Sequence, residues 1–191
     1  MAGIKYHMLN QNTLNGYFDT VWRHNAYNSW HYKYTGEALL DQIRVGEYIL
    51  DVGCGTNHFK PLLSNLTGVD PVFEQADYRM TLEQFTVAHN AQKFNVAFAL
   101  ESINYGTIED IEMQTYRMVR FMRQRDSRIY WRCNPGLQED CPVPVFAWTF
   151  DEQVRLATKY DYTILEMEWD ENGRFYSFWN SNNSLTPGVP S

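Results

Sequence analysis

Cysteine is scarce: the 191 residues hold three, at positions 54, 133 and 141. An odd, widely spaced set has neither the density of a disulfide scaffold nor the spacing of a zinc site, which points to a reducing, cytoplasmic setting. Long apolar runs are also missing, so no segment is long enough to span a bilayer and no membrane partner is expected. The N-terminus lacks the basic-then-apolar layout of a secretory signal. Basic charge is in deficit, with 16 Lys and Arg against 23 Asp and Glu, a formal net charge of −7 and a pI near 5.2. Such a surface repels a polyanion and argues against a nucleic-acid partner, although a local patch could still bind one. The densest basic run extends from Arg117 through Arg120, Arg123 and Arg125 to Arg128. Its spacing suits the exposed face and last turn of a helix, where cations complement the helix dipole, and nucleic-acid contact is the alternative.

Apolar residues make up 44% of the chain and aromatic ones 16%, enough for one domain with a substantial core. The most informative stretch is Tyr48-Ile49-Leu50-Asp51-Val52-Gly53-Cys54-Gly55-Thr56-Asn57. An apolar run of buried-strand type ends in an acid and breaks into a glycine-bearing turn. A second strand, Leu66-Thr67-Gly68-Val69-Asp70-Pro71, also ends in an acid. Strand, Gly-x-Gly turn, short helix, strand and terminal carboxylate form the nucleoside-binding half of an open α/β sheet. Gly53 and Gly55 can take positive φ and bring no Cβ where a ligand approaches the backbone. The helix expected over residues 57–64 would offer free N–H groups to a carboxylate or phosphate. Asp70 has two acceptor oxygens for the hydroxyls of a ribose. A dinucleotide fingerprint calls for a third glycine where His58 stands, which disfavours NAD.

Ile49-Leu50-Asp51-Val52-Gly53-Cys54-Gly55-Thr56 resembles the first motif of the class I S-adenosylmethionine-dependent methyltransferases, and Gly68-Val69-Asp70 resembles their ribose-holding strand end. The family's third motif glycine is replaced by Asn57, a residue that tolerates left-handed backbone. The resemblance implies an α/β, three-layer, Rossmann-like sandwich, with a seven-stranded, mostly parallel sheet ending in an antiparallel β-hairpin. It implies S-adenosyl-L-methionine as cofactor and a small-molecule or protein methyl acceptor. Two alternatives stand beside it: a catalytically inactive binding module that keeps the pocket, and an NAD-dependent oxidoreductase.

Residues 1–35 are polar and aromatic, with a helix near Leu14 to His24; this cap segment lies either over the cofactor cleft or against a sheet edge. The main domain is expected over residues 36–180 and a flexible tail over 181–191. A helix follows Gly36 over Glu37–Ile43, where apolar residues recur at helical spacing. Arg79-Met80-Thr81-Leu82 suggests a short third strand, with Leu82 and Glu83 at its carboxyl end. In the family that place often supplies an apolar shelf and an acid or amide near the adenine; otherwise Glu83 is an ordinary loop acid. Phe94–Ile103 is a buried strand ending at Glu101, and a helix follows from residue 107 or 108 to Arg123. Ser127–Cys133 is the fifth expected strand, broken by Asn134-Pro135-Gly136. The long connection to Trp148 suggests a functional or lid role. A helix over 151–159 and two alternating strands around Asp170-Glu171-Asn172-Gly173 complete the chain.

The carboxyl edge of such a sheet collects Asp51, Gly53, Cys54, Gly55, Asn57, Asp70, Pro71, Leu82, Glu83 and Glu101 as candidate cofactor contacts. Glu101 would lie near the sulfonium or the acceptor. His31 and Tyr34, upstream of the first motif, are candidates for a general base or a cleft wall. No Asp-Pro-Pro-Tyr motif follows the strand at 94–103; Glu101-Ser102-Ile103-Asn104 stands there instead. Glu101 and Asn134 only partly imitate a magnesium set of strand-end ligands, and no metal is expected.

Overall fold

A computed structural model of the chain describes residues 9–22, 36–137 and 141–182. Aliphatic and aromatic runs bounded by turns build the centre of its sheet. The strands β1 (Ile49–Val52), β2 (Leu66–Val69), β3 (Val96–Leu100) and β4 (Arg128–Cys133) run parallel to one another. Every residue of β1 and β4 is buried, as expected for strands covered on both faces. The hairpin forms as the sequence suggested, from β5 (Tyr162–Trp169) and β6 (Phe175–Ser181), with β6 antiparallel to β4 and β5 at the edge. The sheet order is β2-β1-β3-β4-β6-β5. The chain leaves β1 toward one edge for β2 and toward the other for β3, so the reversal point lies between β1 and β3, where open α/β sheets bind ligands.

Strand periodicity divides the apolar residues between two cores. Leu50, Val52, Ala97, Ala99, Ile129 and Trp131 face one side. They pack against α2 (Leu82–Ala88), α3 (Ile108–Phe121) and α4 (Phe150–Lys159). Ile49, Val96, Phe98 and Tyr130 face the other side, with Leu39 and Phe59. That second layer consists of a 3-10 helix, Gly36–Gln42, and hydrogen-bonded turns, where an α-helix was expected over 37–43.

Four further expectations need correction. The sheet has six strands among the described residues, not seven. The strand expected over 79–82 is absent because Thr81 caps α2: its hydroxyl accepts the Gln84 N–H, and the Gln84 side chain accepts the Thr81 N–H at 2.9 Å. Only Tyr78 joins the sheet, through one parallel bridge to Val69. The helix expected over 57–64 is a string of turns, closed by Asn57 N–H to Cys54 C=O at 2.9 Å and Lys60 N–H to Asn57 C=O at 3.1 Å. Pro61, with no N–H, interrupts any longer ladder, so no helix N-terminus stands behind the glycine turn. The first helix starts earlier than expected: α1 spans Gln11–Tyr17, capped by the Asn10 side chain on Thr13 N–H, and continues as a π-helical turn, Phe18–Trp22. The expected tail lies outside the described residues from position 183 onward.

Candidate functional site

The turn after β1 is held by β2. Gly53 N–H donates to Val69 C=O at 2.8 Å, and Gly53 takes φ +67°. A Cβ at Gly53 would lie 2.4 Å from Ser102 Cβ, so the ends of β1 and β3 can meet only through glycine here. Asn57 takes φ +55°, the conformation that the missing glycine would have supplied. Its side chain turns inward and donates from Nδ2 to Gln75 C=O at 2.9 Å. Gly68 makes room for it, since a Cβ there would stand 2.5 Å from Asn57 Oδ1.

Asp70 closes the same loop from the end of β2. Its Oδ2 accepts Gly55 N–H at 3.1 Å, and its Oδ1 accepts Val72 N–H at 2.8 Å and Phe73 N–H at 3.1 Å. These bonds leave acceptor capacity on Oδ2. Asp51 is buried beside it, and burial, reinforced by the Asp70 charge, pushes its carboxyl up from 3.8 to about 7. Burial likewise raises the Cys54 thiol, with the Asp51, Asp70 and Asp77 charges adding to the shift. A thiol raised in this way stays neutral, and Cys54 serves the turn as a small residue.

On the far side, Glu101 turns the chain with φ +62°, a strained conformation for a residue with a side chain. Its Oε1 accepts from Arg174 Nε at 2.7 Å and Arg132 Nη1 at 2.9 Å. Arg132 Nε in turn donates to Asp170 Oδ2 at 2.8 Å. This network, buried at Arg132 and Asp170, ties the end of β3 to β4 and to the β5–β6 turn.

Between these walls lies a cleft of about 260 Å³. Of the residues singled out from sequence, Asp51, Gly53, Cys54, Gly55, Asp70, Pro71, Leu82 and Glu101 line it. Asn57 is buried beneath the loop and does not line it. Glu83 turns away to pair with Arg117 at 2.9 Å, which also gives one arginine of the basic run an internal partner. His31 and Tyr34 lie outside the described residues. The structure adds lining residues that had not been singled out: Gln11, Leu14 and Asn15 on α1, Phe18 on the π-helical turn after it, Tyr105 and Gln114, and Arg174 from the hairpin. The Asn10 cap signal could have started α1 early enough to include Gln11. No local signal brings Arg174 to the end of β3. Among the described residues no cluster of three metal-ligating side chains occurs, and no helix is long and apolar enough to cross a membrane.

No protein-family model matches the sequence, and no curated protein matches it. Solved structures do match. A magnesium protoporphyrin IX methyltransferase from Synechocystis, crystallised with S-adenosylmethionine, is 11% identical with a TM-score of 0.64, covering 92% of this chain and 98% of that one. The protein DhpI, in complex with S-adenosylhomocysteine, is 13% identical with a TM-score of 0.59, covering 89% and 96%. An S-adenosylmethionine-dependent methyltransferase from Clostridium acetobutylicum is 13% identical with a TM-score of 0.56, covering 89% and 98%. At these identities the likeness is one of architecture: the chain has the class I S-adenosylmethionine-dependent methyltransferase fold.

Proposed function

We propose that the protein is an S-adenosylmethionine-dependent methyltransferase acting on a small-molecule or protein acceptor. The observation that carries this reading is the pairing of Asp51 and Asp70 around the Gly53–Gly55 turn, at the reversal point of a methyltransferase-type sheet. The residues present fit the cofactor. Apart from its two chain neighbours, no atom of the described residues lies within 4 Å of a Cβ built on Gly55, so the loop offers bare backbone to the cleft. Asp70 Oδ2 has capacity for a sugar hydroxyl, and Leu82 offers an apolar shelf. Asp51 is a buried carboxyl that a cationic ligand would compensate. Asn57 keeps the turn in the glycine conformation, so the departure from the family motif leaves the loop intact.

When bound, the cofactor supplies a methyl group on a cationic sulfur. The protein's contribution is alignment: Asp70 and the glycine turn fix the donor, and Glu101, locked by two arginines, bounds the acceptor side. α1 and Tyr105 wall the cleft and limit water.

Thermal shift and calorimetry with S-adenosylmethionine, S-adenosylhomocysteine and NAD test the cofactor class. The two sulfur nucleosides should stabilise the protein and NAD should not; the reverse result sinks the proposal. Asp70→Asn should weaken S-adenosylhomocysteine binding by about 1–3 kcal/mol. Unaltered affinity in a folded Asp70→Asn variant would show that the sugar is held elsewhere.

A further inference from the structure

Resting on the methyltransferase reading, we propose that the acceptor is a small organic oxyacid, bound through its anionic oxygens by Arg174, Asn134 and Ser102. All three residues line the cleft, and each brings a donor that the protein leaves unused among the described residues. Arg174 spends Nε on Glu101 and Nη1 on Asn172 C=O at 3.2 Å, which leaves Nη2. Asn134 is buried, and its Oδ1 accepts both Gly136 N–H and Leu137 N–H at 2.9 Å. Those two bonds fix the amide orientation and leave Nδ2 as a spare donor. Ser102 Oγ is buried with no hydrogen-bond partner.

Three unused donors at the ends of β3, β4 and the hairpin call for an oxygen-rich acceptor group, and Ser102 Oγ, buried without a partner, is the one whose isolation is costly. Charge agrees. Asp51 and Asp70 lie by the glycine turn, on the side proposed for the cationic donor. Opposite them, the negative charge of Glu101 is offset by Arg132 and Arg174, and that of Asp170 by Arg132. The four charges sum to zero, so the Arg174 guanidinium is not cancelled by excess acid. Leu14 and Phe18, with Phe18 edge-on to Tyr105 at 5.3 Å, supply an apolar wall for the body of the acid.

The chemistry is economical. A carboxylate or phosphonate oxygen already carries its nucleophilic pair at neutral pH, so no side chain has to take a proton. That pair forms the oxygen–carbon bond to the methyl group as the carbon–sulfur pair returns to sulfur. The products are a methyl ester and a neutral thioether, and no electron or proton is drawn from elsewhere.

The test uses the protein saturated with S-adenosylhomocysteine and calorimetric titration with benzoate and phenylphosphonate, against benzamide and benzyl alcohol as uncharged probes of similar size. An oxyanion should bind and the uncharged probes should bind about tenfold or more weakly. A preference for phenylphosphonate over benzoate would identify a phosphoryl acid as the acceptor type. Arg174→Gln should lower oxyanion affinity about tenfold while S-adenosylhomocysteine affinity stays the same. Ser102→Ala loses no internal bond, so it should keep the fold and lower oxyanion affinity several-fold. Equal binding of benzoate and benzamide, no binding of either acid, or an unchanged oxyanion affinity in both folded variants overturns the inference alone. Failure of S-adenosylhomocysteine to bind overturns the methyltransferase reading beneath it.

Discussion

Asp51 carries an electrostatic cost that makes it measurable on its own. Its folded-state value, about 7, lies above the ordinary 3.8, so the folded protein binds its proton more tightly than the unfolded chain does. Stability from this group is therefore complete below about pH 4 and is lost as pH rises through about 7. The loss is on the order of 4 kcal/mol if no cation compensates it. Denaturant melts from pH 5 to 8 should show wild type losing ground to Asp51→Asn across that window. Parallel curves for the two proteins would remove the buried-charge account. At the same scale, Asp51, Gly53 and Asp70 were legible from sequence, because strand ends and turn glycines announce themselves locally. The inward turn of Asn57 was not, since it depends on the absence of a Cβ at Gly68, eleven residues away.

Elements carry the second level of the site. The network of Arg132, Glu101, Asp170 and Arg174 joins three of them, and Arg132 and Asp170 are almost fully buried. Replacing Arg132 by Met would leave two carboxylates short of their cation and should cost about 3–5 kcal/mol in urea unfolding. A loss below 1 kcal/mol would mean that water already screens the network. The misread elements share one cause. The expected element order suggested a strand at 79–82, but the Thr81-x-x-Gln84 capping box assigns Thr81 and Leu82 to the start of a helix. The same order suggested a helix at 57–64, but Pro61 and the pull of Asp70 on the loop favour turns. End chemistry decided both short segments, where few apolar residues contribute to the balance.

The whole molecule is ordered around β1, β3 and β4, which have neighbours on both edges, whereas β2 and β5 close the sheet. Local opening should follow that order. Hydrogen exchange should be slowest in Val96–Leu100 and Arg128–Cys133 and faster in Leu66–Val69 and Tyr162–Trp169. Equal protection of the edge strands would point to a partner covering them. By itself the sequence determined the parallel core, the terminal hairpin, the glycine turn and the two acids at its sides. Each of these rests on short-range features: strand runs, positive-φ glycines and strand-end carboxylates. Only the tertiary structure decided the number of strands, the wall that α1 contributes, and the meeting of Ser102, Asn134 and Arg174. Those contacts join residues far apart in the chain through strand order and register, which no local pattern encodes.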